Sequence, residues 1–282
     1  MSPNLKVAAV QMTSGLALSS NLRLAGEGLQ QAAAEGAQLA VLPENFAGYG
    51  VDYQQLAKRE AEILDWLSEQ ALRHGLSIIA GSLPSQRRLD GSTVPAPRVV
   101  TRSVVVSADG VITARYDKIH LFDASVEDAQ GAYRESSVFE PGSQTVTVDV
   151  AGWPVGLAIC YDLRFPALAL KLAAAGARLL VYPSAFTAVT GAAHWSLLLR
   201  ATAVQTGCYV LGANQCGEPS PKRATFGHSM LVDPWGDIVK QLGDEPGVLV
   251  ASLSEQRVQQ IRNRISVLKH QRLTIEGPYE PR

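Results

Sequence analysis

Pro154-Val155-Gly156-Leu157-Ala158-Ile159-Cys160-Tyr161-Asp162-Leu163-Arg164-Phe165-Pro166 is the stretch that decides the fold class. It reads as a short apolar strand that stops at a cysteine, then a polar turn, then a helical run to about Ala175. Strands leading into helices build open α/β sheets, and in those sheets ligands bind at the carboxyl edge of the strands. A cysteine at that edge is placed for chemistry, and a helix N-terminus beside it would favour the reactive thiolate. A buried cysteine that only fills space is the competing reading of Cys160 taken alone.

Two other stretches have the same layout. Ala37–Leu42 (AQLAVL) is an apolar run that ends at Pro43-Glu44-Asn45-Phe46, and the run from Val111 to Tyr116 ends at Asp117-Lys118-Ile119-His120. The second run closes a hairpin with Val99–Val106 across Ser107-Ala108-Asp109-Gly110, an Asp-Gly turn signal. Three strands therefore end at a carboxylate, an ammonium and a thiol. That set suits acyl transfer. The thiol attacks a carbonyl carbon, a carboxylate moves the proton, and a fixed cation with a backbone N–H holds the oxyanion. A Cys-His pair built on His120, His194 or His228 competes with it at this level.

The remaining pattern fits the same class. Lys6–Met12, Ser77–Ser82, Val146–Val150, Arg178–Tyr182, Cys208–Ala213 and Val248–Ser252 read as strands. Helices are expected over Asn21–Glu35 with Asn21 as N-cap, Asp52–His74, Ala192–Thr206 and Glu255–Arg264. Gly227–Val232 and Asp237–Gln241 flank Asp233-Pro234-Trp235-Gly236 as a hairpin. Gln86–Arg98 reads as a hairpin loop, Glu218–Thr225 as a solvated surface turn or else a place where Lys222 or Arg223 reaches a distant carboxylate, and Leu121–Gly142 as a polar functional loop. Gly36–Phe46 echoes Gly176–Phe186, with Ser184 in the place of Glu44. That echo predicts two pseudo-symmetric halves.

The chain of 282 residues is 46% hydrophobic and 18% charged, with a net charge of −1, enough for one large core. No basic run interleaves with aromatics, so nucleic acid is not an expected partner. The apolar runs are too short to span a membrane, and the N-terminal residues lack a signal-peptide pattern. Cys160, Cys208 and Cys216 are an odd set without metal-like spacing, which fits a cytoplasmic location.

Leu42-Pro43-Glu44-Asn45, Tyr116-Asp117-Lys118-Ile119-His120-Leu121-Phe122-Asp123 and Gly156–Pro166 together resemble the nitrilase superfamily of carbon-nitrogen hydrolases. The resemblance extends over roughly Lys6 to Ser252. It implies an α/β fold, a four-layer αββα sandwich, with a hydrolase domain over 4–253. A C-terminal helix and tail over 254–282 would contact a partner subunit in a homodimer or larger homo-oligomer. The family's catalytic Glu, Lys and Cys fall on Glu44, Lys118 and Cys160, and a second glutamate falls on Glu135. Tyr161, Arg164, Ser184, Phe186 and His194 are expected around the oxyanion and substrate. No metal or cofactor is implied.

Tyr182–Phe186, Gly191–Trp195, Gln215-Cys216-Gly217 and Gly227–Gly236 are most similar to the deaminated glutathione amidase branch. The neighbouring branch is the omega-amidases, which act on 2-oxoglutaramate. The implied reaction is cleavage of a linear carboxamide through a cysteine thioester, with ammonia expected as the leaving group. Other reactions of the superfamily (nitrile hydrolysis, carbamoyl cleavage, acyl transfer) and an idle fold used for binding are the alternatives.

Overall fold

The computed structural model describes residues 4–220 and 222–273; the last part of the expected C-terminal tail, 274–282, lies outside the described residues. In chain order the first half contains β1 (Leu5–Gln11), α1 (Leu18–Ala34), β2 (Leu39–Val41), α2 (Tyr53–Ala57), α3 (Glu60–His74), β3 (Ser77–Ile79), β4 (Leu83–Ser85), β5 (Val100–Val106) and β6 (Ile112–Asp117). A small ladder, β7 (Asp123–Ser125) with β8 (Ala132–Arg134), follows. The second half contains β9 (Thr147–Val150), β10 (Trp153–Leu157), α4 (Pro166–Ala174), β11 (Leu179–Ser184), α5 (Ala188–Thr206), β12 (Tyr209–Asn214), β13 (Cys216–Ser220), β14 (Arg223–Phe226), β15 (Met230–Val232) and β16 (Ile238–Gln241). β17 (Gly247–Leu253), α6 (Glu255–Arg264) and α7 (Val267–His270) complete the described chain.

The strands form two large sheets. One runs β17-β1-β2-β3-β5-β4, with β6 also on β5; the other runs β16-β15-β12-β11-β10-β9. β17 leaves the second half and pairs antiparallel with β1, so the chain's end closes the first sheet. Strand alternation explains the layers. Val7, Ala9, Leu39, Val41 and Ile79 point to a core shared with Val155, Leu157, Leu179 and Val181 of the other sheet. Their neighbours Ala8, Val10, Ala40, Leu42 and Ile78 point the other way, against Leu29 of α1 and Ile63 and Leu67 of α3. On the far side, Leu172 of α4 and Leu199 of α5 join the core of the second sheet. The result is the αββα sandwich, with strands buried on both faces.

Several boundaries differ from the sequence reading. α1 starts at Leu18, one turn before Asn21. Asn21 is not the cap; its buried amide bridges both backbone groups of Gly15 at 2.9 Å and the Ala47 carbonyl at 3.0 Å. The helix expected over Asp52–His74 is two helices, with Asp52 capping the first by accepting from the Gln55 N–H. Leu56 and Ala57 are buried in the first and Ile63, Leu67 and Ala71 in the second, separate apolar faces that one straight helix would not serve. α5 starts at Ala188, where Thr187 accepts from the Thr190 N–H, so His194 lies inside the helix rather than at its start. The expected surface turn at Glu218–Thr225 is part of the two-stranded hairpin β13–β14.

Candidate active site

Glu44, Lys118 and Cys160 meet at the carboxyl ends of β2, β6 and β10. Lys118 is buried, and its Nζ donates to Glu44 Oε1 at 2.8 Å and to Glu135 Oε1 and Oε2 at 2.8 and 2.9 Å. The Glu44 carboxylate and the Ala185 N–H both act on the Cys160 thiol. Two glycines let the backbone close around these strand ends. A Cβ on Gly81 would sit 1.9 Å from the Pro43 carbonyl oxygen, and one on Gly142 2.2 Å from that of Asp117. Gly142 N–H also donates to the Lys118 carbonyl at 2.7 Å.

Cys160 has φ of 47°, a left-handed conformation unusual for a residue with a side chain. Backbone in that region is a strained arrangement that surrounding structure must impose. Asp162 supplies that restraint. It is fully buried, and its Oδ2 accepts from the Ile159 N–H at 2.9 Å and from the Tyr116 hydroxyl at 2.6 Å. Its Oδ1 accepts from the His120 N–H at 3.0 Å and lies 2.7 Å from His120 Nδ1. One carboxylate thus joins the loop carrying Cys160 to the strand carrying Lys118. Asp162 stands two residues after the cysteine in sequence, and the fold brings Tyr116 and His120 to it.

The electrostatics set the protonation states. Burial pushes the Cys160 thiol well above the ordinary thiol value, and the Glu44 charge pushes the same way, against Lys118. The thiolate favoured by a helix end is therefore not the resting form; the segment after Cys160 is a short 3-10 turn, Cys160–Arg164, and the burial outweighs it. Burial opposes the charge of Lys118, but Glu135 and Glu44 outweigh it and hold the ammonium well above its usual value. Burial raises the Glu135 carboxyl, with Lys118 opposing and Glu44 adding to the rise. A resting neutral thiol beside a carboxylate needs general-base help to become a nucleophile, and Glu44 is placed to give it.

A cavity of about 310 Å³ opens onto the three groups, large enough for a small organic substrate. Tyr161, Arg164 and Phe186 line it. Arg164 lies over the rings of Tyr161 and Phe186, 5.9 and 5.4 Å from their centres. Ser184 does not line it: the residue is fully buried and its hydroxyl donates to the Tyr182 carbonyl at 3.0 Å. His194 does not line it either, and reaches the site only through Arg164 Nη1, 3.2 Å from its Nδ1. No histidine is among the lining residues. His120 is stacked on Phe165 at 3.6 Å and His228 on Phe226 at 4.2 Å, which leaves the Cys-His alternative without its base. Among the described residues, no three His, Cys, Asp or Glu side chains are grouped to hold a metal ion.

Sequence reasoning missed the aromatic wall of Tyr49, Tyr53 and Phe139. The expected functional loop Leu121–Gly142 supplies Phe122, Gln130, Tyr133 and Glu135 to the same cavity.

The carbon-nitrogen hydrolase family model matches residues 6–263, most of the chain. This protein belongs to the carbon-nitrogen hydrolase family. As a member of that family it is a hydrolase acting on carbon-nitrogen bonds. It is 37% identical over 274 residues to the deaminated glutathione amidase of Yersinia enterocolitica, covering 95% of this chain and 93% of that protein. Its fold matches the crystal structure of Nit3 from Saccharomyces cerevisiae, a member of branch 10 of the nitrilase superfamily. The TM-score there is 0.83 at 29% identity, over 96% of this chain and 97% of that one. It also matches an amidase of Nesterenkonia sp. AN1, with a TM-score of 0.76 at 28% identity over 93% and 98% of the two chains. That structure carries a Glu-to-Gln change and the product of Michael addition of acrylamide at its active-site cysteine.

Proposed function

We infer that this carbon-nitrogen hydrolase is a deaminated glutathione amidase that works through a thioester on Cys160. The observation that carries the reading is the meeting of Glu44, Lys118 and Cys160 at one cavity, with Lys118 held between two carboxylates. The substrate follows from the similarity to the Yersinia enzyme of that name. Glu44 takes the thiol proton as sulfur attacks the amide carbon. Lys118 and the backbone N–H of Tyr161, in the first turn after the strand, hold the oxyanion. Glu44 passes the proton to the leaving nitrogen, whose bond to carbon breaks. Water then attacks the thioester with Glu44 again as base, freeing the acid and the thiol. Glu135 keeps Lys118 charged and aligned.

The leaving group separates the branches. Deaminated glutathione is an amide of cysteinylglycine, so its cleavage frees that dipeptide through its amine. The ammonia expected from sequence belongs to primary amides such as 2-oxoglutaramate. The test is a panel of deaminated glutathione, 2-oxoglutaramate, carbamoyl amino acids and nitriles, followed by mass spectrometry of the products. Faster release of cysteinylglycine than of ammonia is the expected result. Preference for 2-oxoglutaramate would make it an omega-amidase instead.

A cytoplasmic homo-oligomer, with the C-terminal segment over 254–282 at a subunit contact, belongs to the same reading. Leu197 and Val204, exposed on one side of α5, support self-association, and static light scattering of the purified protein measures the subunit number. No helix among the described residues is long and apolar enough to cross a membrane.

A further inference from the structure

Lys118 is neutralised by two carboxylates, yet the cavity has three further cations in its wall, Arg134, Arg164 and Arg223. Among the described residues none of these three makes an ion pair with a protein carboxylate. Arg134 is exposed and reaches only the Tyr133 carbonyl, at 3.2 Å. Arg164 belongs to the cysteine turn. Arg223 comes from elsewhere, the hairpin β13–β14.

Its guanidinium carbon lies 5.0 Å from the ring centre of Tyr49 and 5.2 Å from that of Tyr133. Its Nε donates to Gln130 Oε1. Asp128 feels its charge, but that carboxylate is engaged with the Tyr133 hydroxyl at 2.7 Å and with the Gln130 and Gly131 N–H groups at 3.0 and 2.9 Å. The hairpin itself is fastened to the cavity rim. Phe226 N–H donates to the Phe186 carbonyl at 3.0 Å, and Cys216 N–H to that of Met12 at 3.0 Å. A planar cation with aromatic partners and its Nε occupied keeps terminal N–H donors for a planar anion. Because Gln130 and the rings already hold the side chain, little further order is lost on binding.

We propose that Arg223 is a carboxylate-binding, specificity-determining residue of this cavity, and that the substrates it selects are linear amides whose amide nitrogen carries a chain ending in a carboxylate. This rests on the reading of the cavity as the amidase site. In this proposal Arg164, in the turn beside the nucleophile, is assigned to the acyl side and Arg223, on the separate hairpin, to the leaving side. A primary amide such as 2-oxoglutaramate has no carboxylate to offer there.

The test uses conjugate addition to Cys160, so it does not depend on which amide is hydrolysed. N-acryloyl amino acids of increasing chain length place a carboxylate beyond the acrylamide nitrogen, and their methyl esters serve as neutral controls. The rate of Cys160 adduct formation is read by peptide mass spectrometry. The native protein should label faster with one chain length of the acid than with its ester. Arg223→Gln should reduce that acid-to-ester ratio about 10- to 100-fold, the usual worth of a charge-assisted contact. Arg223→Lys, which keeps the charge without the fork, should restore part of it, and stands in if the glutamine variant does not fold. Equal labelling by acid and ester at every length, or a preference that survives Arg223→Gln or is abolished instead by Arg164→Gln, overturns the proposal. A ratio that depends on Arg223 in a protein that fails to cleave deaminated glutathione would overturn the substrate named above and leave the carboxylate subsite standing.

Discussion

In the first sheet β1, β2 and β3 run parallel, with Val7 opposite Leu39 and Leu39 opposite Ser77. In the second, β10, β11 and β12 run parallel, with Val155 opposite Leu179 and Leu179 opposite Tyr209. β3 then pairs antiparallel with β5, as β12 does with β15. Even the irregularities agree: β5–β6 slips register between Val105 and Val106, and β15–β16 between Leu231 and Leu231's neighbour Val232. Carrying this register to the strand ends puts Met12 in the place of Cys160, Ser184 in that of Glu44 and Asp244 in that of Lys118. One scaffold is thus used twice, and the chemistry is divided between its copies. In the proposed mechanism the first half supplies the base and the ammonium, the second the thiol. At the carboxyl ends of the paired strands the two halves carry different side chains at equivalent positions, and Met12, Cys160, Ser184 and Glu44 are all buried there.

The sharpest way to break this division is at the thiol. Cys160→Ala should lower kcat by about 10⁴-fold or more, because removing the nucleophile removes the covalent route. Met12→Leu, at the equivalent place, should leave kcat within a few-fold, since a volume-conserving core change costs below about 1.5 kcal/mol. Comparable losses from both, in steady-state assays of folded protein, would deny the asymmetry. At the second pair, Glu44→Gln should slow turnover by about 10²–10⁴-fold. Ser184→Ala should have a small effect, because the hydroxyl only bonds its own strand. A mild Glu44→Gln effect would send the search for the base to another group.

Smaller effects sharpen how the halves are joined. Asp162→Asn replaces the charged acceptor that ties Ile159 of the second half to Tyr116 and His120 of the first. It should reduce the unfolding free energy by about 1.5–3 kcal/mol in denaturant titration, the range for hydrogen bonds to charged groups. An unchanged midpoint and slope would mean the junction contributes nothing. The last effect is a shift in pH. Burial and the Glu44 charge raise the thiol, so it stays protonated above the ordinary value of 9.0 and ionises only at higher pH. Alkylation of Cys160 by iodoacetamide should therefore keep rising with pH beyond about 9. Removing the Glu44 charge takes away one raising influence while Lys118 remains, so in Glu44→Gln the midpoint should move to lower pH. A native midpoint below 9.0 would contradict the resting neutral thiol.

Much of this was legible in sequence because strands buried on both faces leave continuous apolar runs, and the residues that interrupt them stand out. Glu44, Lys118 and Cys160 were found that way, and so was the echo between Gly36–Phe46 and Gly176–Phe186. The apolar run of β10 does not reveal that Cys160 takes a left-handed backbone, because that depends on Asp162 reaching across to another strand. Asn21 looked like a helix cap because local preference favours it, and a longer-range demand, the bridge to Gly15 and Ala47, used its amide instead.

By itself the sequence determined most of the strand and helix order, the three strand ends that carry a carboxylate, an ammonium and a thiol, and the doubled plan, since these are local periodicities and chemical types that need no partner to be read. Only the tertiary structure decided which groups face the cavity. Ser184, the sequence counterpart of Glu44, is turned into its own strand, whereas Arg223, in what reads as a polar surface turn, lines the cavity between Tyr49 and Tyr133. Side-chain direction at a strand end is set by contacts from distant segments, and those contacts, with the burial that raises the thiol and the carboxylates that hold Lys118, exist only once the two sheets have packed.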